Sequence, residues 1–159
     1  MPDSRRKLEA TSWLAVVRAY QECNRRYTQL LAAFELTIPQ YDALNAIARL
    51  GEEATPKAIA DELVVTRGNV TGVLHRLEEA GMVGTRANEA DGRSFFCVLT
   101  RAGSRRLNRA RDAAALFISE QLAPFTDIDL RRTEKQMATM QVQLKTIDPD
   151  AIAAEATAS

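Results

Sequence analysis

The sequence has few of the residues on which catalytic and metal sites usually depend. Its 159 residues include one histidine and two cysteines, Cys23 and Cys97. Two cysteines cannot form a disulfide framework, and with one histidine they cannot supply the four ligands of a structural zinc site. The chain also lacks a glycine-rich phosphate loop and a nucleophile elbow. We therefore expect a protein that is not an enzyme and that uses no metal or cofactor.

Long apolar runs and an excess of charge of one sign are missing as well. No apolar run approaches the roughly 20 residues that span a bilayer, and the charged N-terminus, MPDSRRKLEA, lacks the apolar core of a secretory signal. These absences favour a cytoplasmic protein without membrane contact. The 21 basic and 21 acidic residues give zero net charge, which weakens any expectation of bulk attraction to nucleic acid.

The charges are nevertheless unevenly distributed along the chain. The segment 83–111 contains only two acidic residues, Glu89 and Asp91. A neutral chain can therefore still present one basic surface. The arginines of this segment are Arg86, Arg93, Arg101, Arg105, Arg106, Arg109 and Arg111.

Apolar residues recur every three or four positions in several segments, which predicts helices. The first helix covers 8–34, and the second begins near Pro39 and stops at Gly51. Thr55 and Thr66 are suitable N-caps for two shorter helices, the second of which ends at Gly81. Two short helices separated by about three residues match a helix-turn-helix.

After Gly81 the pattern changes to one typical of strands. The segments 83–87 and 94–99 are short and rich in apolar and aromatic residues, and Asp91-Gly92 between them is a strong hairpin signal. A helix-turn-helix followed by a two-stranded hairpin is a winged helix. Thr100 caps the next helix, which Pro124 ends.

The C-terminal part is predicted to be one further helix and a tail. This helix begins near Asp127 and runs to Pro149, with Leu130, Met137 and Leu144 at heptad spacing. Such a seam indicates a helix packed against another helix. The tail 149–159 is predicted to be disordered.

These elements, in this order, resemble the MarR family of bacterial transcriptional regulators. The match is carried by Thr55 to Gly103, and most specifically by the D-x-R of the wing, the apolar strand ending in Leu-Thr, and the glycine three residues after Thr100. The resemblance implies a mainly α fold with a small β-wing, in which a winged helix-turn-helix core is flanked by N- and C-terminal dimerisation helices. Residues 8–34 and 112–148 would be the dimerisation helices and 35–111 the DNA-binding domain.

The resemblance also implies a function. Family members look like homodimers that bind double-stranded palindromic operators, usually as repressors, and many release DNA when a small aromatic or phenolic ligand binds. There are two alternatives. One is a winged-helix protein–protein interaction module, which the neutral charge favours, and the other is a redox-sensing regulator using Cys23.

The two cysteines are candidates for a redox role only in part. In peroxide-sensing relatives the reactive cysteine lies nearer the start of the first helix than Cys23 does, and strand alternation predicts an exposed or half-buried Cys97. We expect both to be packing residues.

The expected DNA contacts come from the recognition helix, about 66–80, and from the wing. Arginine can pair with guanine and asparagine with adenine, and glycines allow close approach of the backbone. An arginine on the wing can enter a narrow minor groove. A solvated helix face, a hairpin ion pair and a simple helix cap are the alternative interpretations. The candidate DNA-binding residues are Thr66, Arg67, Gly68, Asn69, Thr71, Gly72, His75, Arg86, Arg93 and Lys57.

A ligand pocket is expected between the first, second and fifth helices, as the resemblance implies. Aromatic residues make up only 6% of the chain, so no rich aromatic cage is evident. Arg18 or Arg49 would meet a carboxylate on the ligand. The candidate lining residues, each of which fits a core or surface role equally well, are Trp13, Val17, Tyr20, Tyr41, Leu44 and Phe117.

Overall fold

The computed structural model describes residues 2–87 and 95–158. Within this part of the chain there are seven helices and two strands, and a 3₁₀ turn at Gly51–Glu53 follows the second helix. The elements are, in order, α1 (Pro2–Ala32), α2 (Ile38–Leu50), α3 (Pro56–Leu63), α4 (Arg67–Glu79), β1 (Val83–Ala87), β2 (Phe95–Leu99), α5 (Arg101–Leu122), α6 (Asp127–Leu144) and α7 (Pro149–Thr157). The chain forms two compact units, Met1–Phe117 and Ile118–Ser159.

The helix boundaries of the first unit follow from local capping. Thr37 and Gln40 form a capping box at the start of α2, and Gly51 ends it with φ of 55°. Thr55 and Thr66 cap α3 and α4 through side chains that accept hydrogen bonds from backbone amides. These caps confirm the predicted helix-turn-helix. Helix α1 begins six residues before the predicted start. The pattern did not predict these first turns because they are polar and lack an apolar period.

The two strands form an antiparallel ribbon. Val83 pairs with Leu99 and Ala87 with Phe95, so the chain folds back on itself between residues 83 and 99 as predicted. The predicted turn at Asp91-Gly92 lies outside the described residues. The structure thus confirms a mainly α fold with a small β-sheet.

One hydrophobic core holds the first unit together. It combines the end of α1, all of the helix-turn-helix and the base of the ribbon, and its largest fully buried side chains include Leu31, Leu44, Ile59 and Leu77. Burying such side chains stabilises the fold by about 1.5–3 kcal/mol each. This core fixes the position of α4, whose buried residues are Val70, Leu74 and Leu77.

The second unit departs from the sequence-based prediction at two places. Helix α6 ends at Leu144, before Ile147 and Pro149. Instead of a disordered tail, residues Pro149–Thr157 form α7, with Asp148 as an N-cap that accepts hydrogen bonds from the amides of Asp150 and Ala151. The cap, the proline in the first turn and the alanine content all favour a helix. Among the described residues, α6 and α7 have no fully buried side chain.

Candidate nucleic-acid interface

The N-terminal end of α4 presents polar side chains on an ordered turn. The Thr66 hydroxyl accepts a hydrogen bond from the Asn69 amide at 3.4 Å. The Thr71 hydroxyl donates to the carbonyl oxygen of Arg67 at 2.9 Å. Arg67, Asn69 and Thr71 are exposed, as the sequence predicts. Among the described residues, neither the Arg67 guanidinium nor the Asn69 carboxamide has a hydrogen-bond or ion-pair partner, so both can meet an outside partner at the end of a helix.

Two glycines lie on the same side of α4. A Cβ added to Gly68 or Gly72 would meet no heavy atom within 4 Å. Packing inside the protein therefore does not explain their small size, and each glycine costs the helix about 1 kcal/mol relative to alanine. The space is available for an incoming surface that needs to approach the backbone.

The C-terminal half of α4 carries two further basic side chains. Nε2 of His75 lies 3.4 Å from a carboxylate oxygen of Glu79, with both side chains exposed, so the pair is ionic only when the imidazole is protonated. Arg76 was not singled out from the sequence, although it stands seven residues after Asn69 and four after Gly72. That helical spacing is the signal that could have found it.

A cavity of about 460 Å³ lies between α2 and α4. Gly68, Gly72 and Arg76 line it from α4, and Asp42 from α2. Burial raises the pKa of Asp42, against a weaker opposing effect of the Arg49 charge. The recognition helix is therefore not packed closely along this side.

The start of α3 and the ribbon hold the remaining predicted contacts. Thr55 accepts a hydrogen bond from the Ala58 amide at 3.1 Å, and Lys57 is exposed beside it. Arg86 on β1 lies over the ring of Phe96, with 4.9 Å between the guanidinium carbon and the ring centroid. This contact holds Arg86 against the sheet. Arg93 lies outside the described residues.

The predicted ligand residues separate into different environments. Tyr41 and Phe117 come together through Tyr27, whose ring centroid is 6.0 Å from that of Tyr41 and 5.5 Å from that of Phe117. Burial and a hydrogen bond with Tyr41 raise the pKa of Tyr27 above its usual range. Tyr27 was not predicted as a site residue, because its place in the apolar repeat of α1 fits a core residue equally well.

A polar connection adjoins this aromatic group. Nε of Arg111 donates to Oδ1 of Asn45 at 2.7 Å, and Nδ2 of Asn45 donates to the carbonyl oxygen of Tyr41 at 2.9 Å. No local pattern indicates this pair, since 66 residues separate its members. Helices α1, α2 and α5 thus bring three aromatic rings, an amide and a guanidinium into one cluster, called here the Tyr27 cluster.

The other predicted ligand residues do not join the Tyr27 cluster through any ring contact in the described part of the chain. Trp13 and Tyr20 are exposed on α1, at 63% and 69% of their surface, and Val17 is half-buried. Leu44 is fully buried in the core, so it cannot line an open pocket. Arg49 forms an ion pair with Glu62 on α3 and is not free for a ligand.

The two cysteines have different surroundings. Cys23 is half-buried. The prediction of an exposed or half-buried Cys97 is wrong, because this side chain is only 1% exposed. Every residue of β2 is apolar, so alternation along the strand could not indicate which face is buried. Burial raises the pKa of the Cys97 thiol to about 11, which keeps it protonated and unreactive near neutral pH.

The described residues were compared with the requirements of a metal site and of a membrane-spanning helix, and they meet neither. Among residues 2–87 and 95–158, no cluster of three or more histidine, cysteine or acidic side chains could hold a metal ion. No helix in the same two ranges combines the length and apolar character needed to cross a membrane.

Comparison with known proteins decides the family. Residues 34–94 match the MarR family model. An uncharacterised helix-turn-helix transcriptional regulator of Bacillus cereus is 30% identical over 79% of this chain and 80% of its own length. The chain belongs to the MarR family. It is a transcriptional regulator with the winged helix-turn-helix fold of that family, which is a family of regulators and not of enzymes.

Two other proteins are similar to this chain. The organic hydroperoxide resistance transcriptional regulator of Bacillus subtilis is 27% identical over 84% of this chain and 89% of its own length. The DNA complex of Staphylococcus aureus MepR matches with a TM-score of 0.72 and 18% identity, covering 84% of this chain and 95% of that one.

A further solved structure of this fold contains a phenolic ligand. It is the organohalide-sensing regulator RdhR bound to 2,4-dichlorophenol, with a TM-score of 0.76 and 18% identity. The match covers 86% of this chain and 80% of the other. At this identity the likeness concerns the fold.

Proposed function

We propose that this MarR-family protein is a repressor that binds a palindromic operator as a homodimer. The observation that carries the proposal is the N-terminal end of α4, where Arg67 and Asn69 are exposed beside two glycines with open space around them. These side chains suit guanine and adenine edges in the major groove. Lys57, Thr66, Thr71, His75 and Arg86 are assigned contacts with the backbone or flanking bases, and Arg93 a contact in the minor groove.

A dimer is proposed because each unit exposes large apolar side chains on its helices. Trp13 and Tyr20 are exposed on α1 of the first unit, and Ile128 and Val142 on α6 of the second, at 65% and 66%. Large exposed apolar patches mark association sites in soluble proteins. In the proposed dimer, 8–34 and 112–148 form the subunit contact. Two recognition helices about 34–36 Å apart then fit successive turns of DNA.

We further propose a small aromatic effector at the Tyr27 cluster. Tyr41 and Phe117 would contact its ring, and the Arg111–Asn45 pair would meet a phenolate or carboxylate. Such a ligand weakens DNA binding only to the extent that it prefers the non-binding separation of the recognition helices. The test is a thermal shift with 2,4-dichlorophenol, which Phe117→Ala should abolish.

Selection of bound sequences from randomised duplex DNA tests the operator. We expect a palindrome with half-sites about 10 base pairs apart. Asn69→Ala should cost about 1–3 kcal/mol at one base position and relax the preference there. Lys7→Ala, an exposed substitution on α1 outside the proposed DNA and subunit contacts, is the control. Absence of any selected sequence would favour a protein–protein interaction module, and a monomer in sedimentation would contradict the dimer.

A further inference from the structure

A second cavity, of about 410 Å³, lies between the end of α1 and the start of α5. Three arginines line it, Arg105, Arg106 and Arg109, together with Phe34 and Glu35. Small-molecule sites start at about 300 Å³, so the space is sufficient for a small ligand. This site is called here the arginine cavity, and neither the proposed DNA contacts nor the Tyr27 cluster uses its residues.

The arginine cavity carries an uncompensated positive charge. Its three guanidiniums face one carboxylate, Glu35, which lies 2.7 Å from Arg106. Within residues 2–87 and 95–158, neither Arg105 nor Arg109 pairs with a carboxylate. Three positive charges and one negative charge leave a net charge of +2.

Contacts with the protein hold two of the guanidiniums in place. Glu35 fixes Arg106, and Arg109 lies over the ring of Phe34, with 5.9 Å between its guanidinium carbon and the ring centroid. Because the ring holds it, Arg109 loses less entropy on binding an anion than a free guanidinium would. The half-buried ring of Phe34 also gives the cavity an apolar wall. Positive charge and an aromatic surface are thus combined in one place.

We propose that the arginine cavity binds the phosphate group of a small phosphate monoester, whose organic part packs against Phe34. A phosphate monoester carries about −1.5 to −2 charges at pH 7, which matches the net charge of the cavity, whereas each phosphate of DNA carries one. Guanidinium groups bind phosphate oxygens through two parallel hydrogen bonds. The bound phosphate would compete with Glu35 for Arg106 and so act on the junction of α1 with α5.

Isothermal titration of the full-length protein with phenyl phosphate tests this site directly. We expect saturable binding of about one molecule per chain that the double variant Arg105→Gln/Arg109→Gln weakens at least about tenfold. Arg101→Gln, a charge change of the same kind on the same helix but outside the cavity, should change affinity by less than about twofold. Glu35→Gln should strengthen binding several-fold because it frees Arg106. Circular dichroism of each variant checks that it folds.

Several results would overturn the proposal. Absence of binding, an equal loss in Arg101→Gln, or weaker binding in Glu35→Gln would each do so. Loss of phenyl phosphate binding in Phe117→Ala would place the ligand in the Tyr27 cluster instead. If the double variant weakens duplex DNA binding more than Arg101→Gln while phenyl phosphate does not bind, the arginines serve the DNA backbone. Since the titration contains no DNA, its outcome does not depend on the proposed operator binding.

Discussion

Gly103 lies so close to Met82 that there is no space for a side chain between them. A Cβ built on Gly103 would stand 2.0 Å from the carbonyl oxygen of Met82. The same oxygen accepts a hydrogen bond from the Thr100 amide at 3.0 Å, and the Thr100 hydroxyl donates to the carbonyl oxygen of Gly81 at 2.8 Å. These contacts join the start of α5 to the chain that leaves α4. Lack of space beside the Met82 carbonyl group therefore explains why a glycine lies three residues after Thr100.

Replacement of Gly103 by alanine should destabilise the protein. The methyl group meets backbone atoms that cannot turn aside, so either α5 or the 81–83 segment must move. Overpacking of this kind costs about 1–3 kcal/mol. The measurement is urea unfolding, with Gly84→Ala as the control, because a Cβ at Gly84 meets nothing within 4 Å. Equal stability of the two variants would contradict the steric account.

Val64, in the turn between α3 and α4, should be replaceable with a gain in stability. Its φ is 55° and ψ 45°, a left-handed conformation that a β-branched residue rarely adopts, and 89% of its surface is exposed. Val64→Asn should raise the free energy of unfolding by about 1 kcal/mol because asparagine tolerates this conformation. Val65→Asn, next to it at negative φ, should bring no gain. A loss of stability in Val64→Asn would show that the turn is not strained.

Gly72→Ala should have opposite effects on stability and DNA binding. Alanine favours the helix by about 1 kcal/mol, and the site has room for a methyl group. If DNA approaches the backbone here, affinity for the selected operator should fall about tenfold or more. Thermal unfolding and fluorescence anisotropy measure the two quantities. Unchanged affinity would make the glycine a tolerated residue on a solvated face.

Arg93→Ala tests the wing. An arginine that enters the minor groove neutralises phosphate charge. Its removal should weaken duplex binding and reduce the slope of log affinity against log salt by about one unit. Arg6→Ala, an exposed substitution on α1 outside the proposed subunit contact, is the control of equal charge change. Identical salt titrations for the wild type and Arg93→Ala would remove the wing from the DNA-binding surface.

Stability should depend on the ionisation of Cys97 at alkaline pH. The folded-state pKa of about 11 lies above the ordinary value of about 9, so the folded protein holds the proton more tightly than the unfolded chain. The resulting stability is complete below pH 9 and is lost as the pH rises toward 11. Between pH 8 and 10 the wild type should lose about 1 kcal/mol more than Cys97→Val. Equal losses in urea unfolding would show that the thiol titrates normally.

Prediction from sequence succeeds where local interactions decide the structure. Thr55 and Thr66 cap their helices through atoms only three residues away, and the ribbon follows from two short apolar segments around a turn. Because such signals lie within a few residues of one another, the order of elements and the exposed residues of α4 are predictable. The prediction for residues 149–159 was wrong because it rested on their position at the end of the chain. It did not take into account that Asp148 and Pro149 form a helix-starting signal.

The amino-acid order is enough to specify the helix-turn-helix, the ribbon and the residues that α4 exposes, because caps, periodicity and turns act over short distances. Long-range packing sets which face of β2 buries Cys97, which rings surround Tyr27, and that Glu35 meets Arg106 across 71 positions. These arrangements depend on how helix and strand faces pack together. Periodicity identifies an apolar face but does not identify the residues that it will contact.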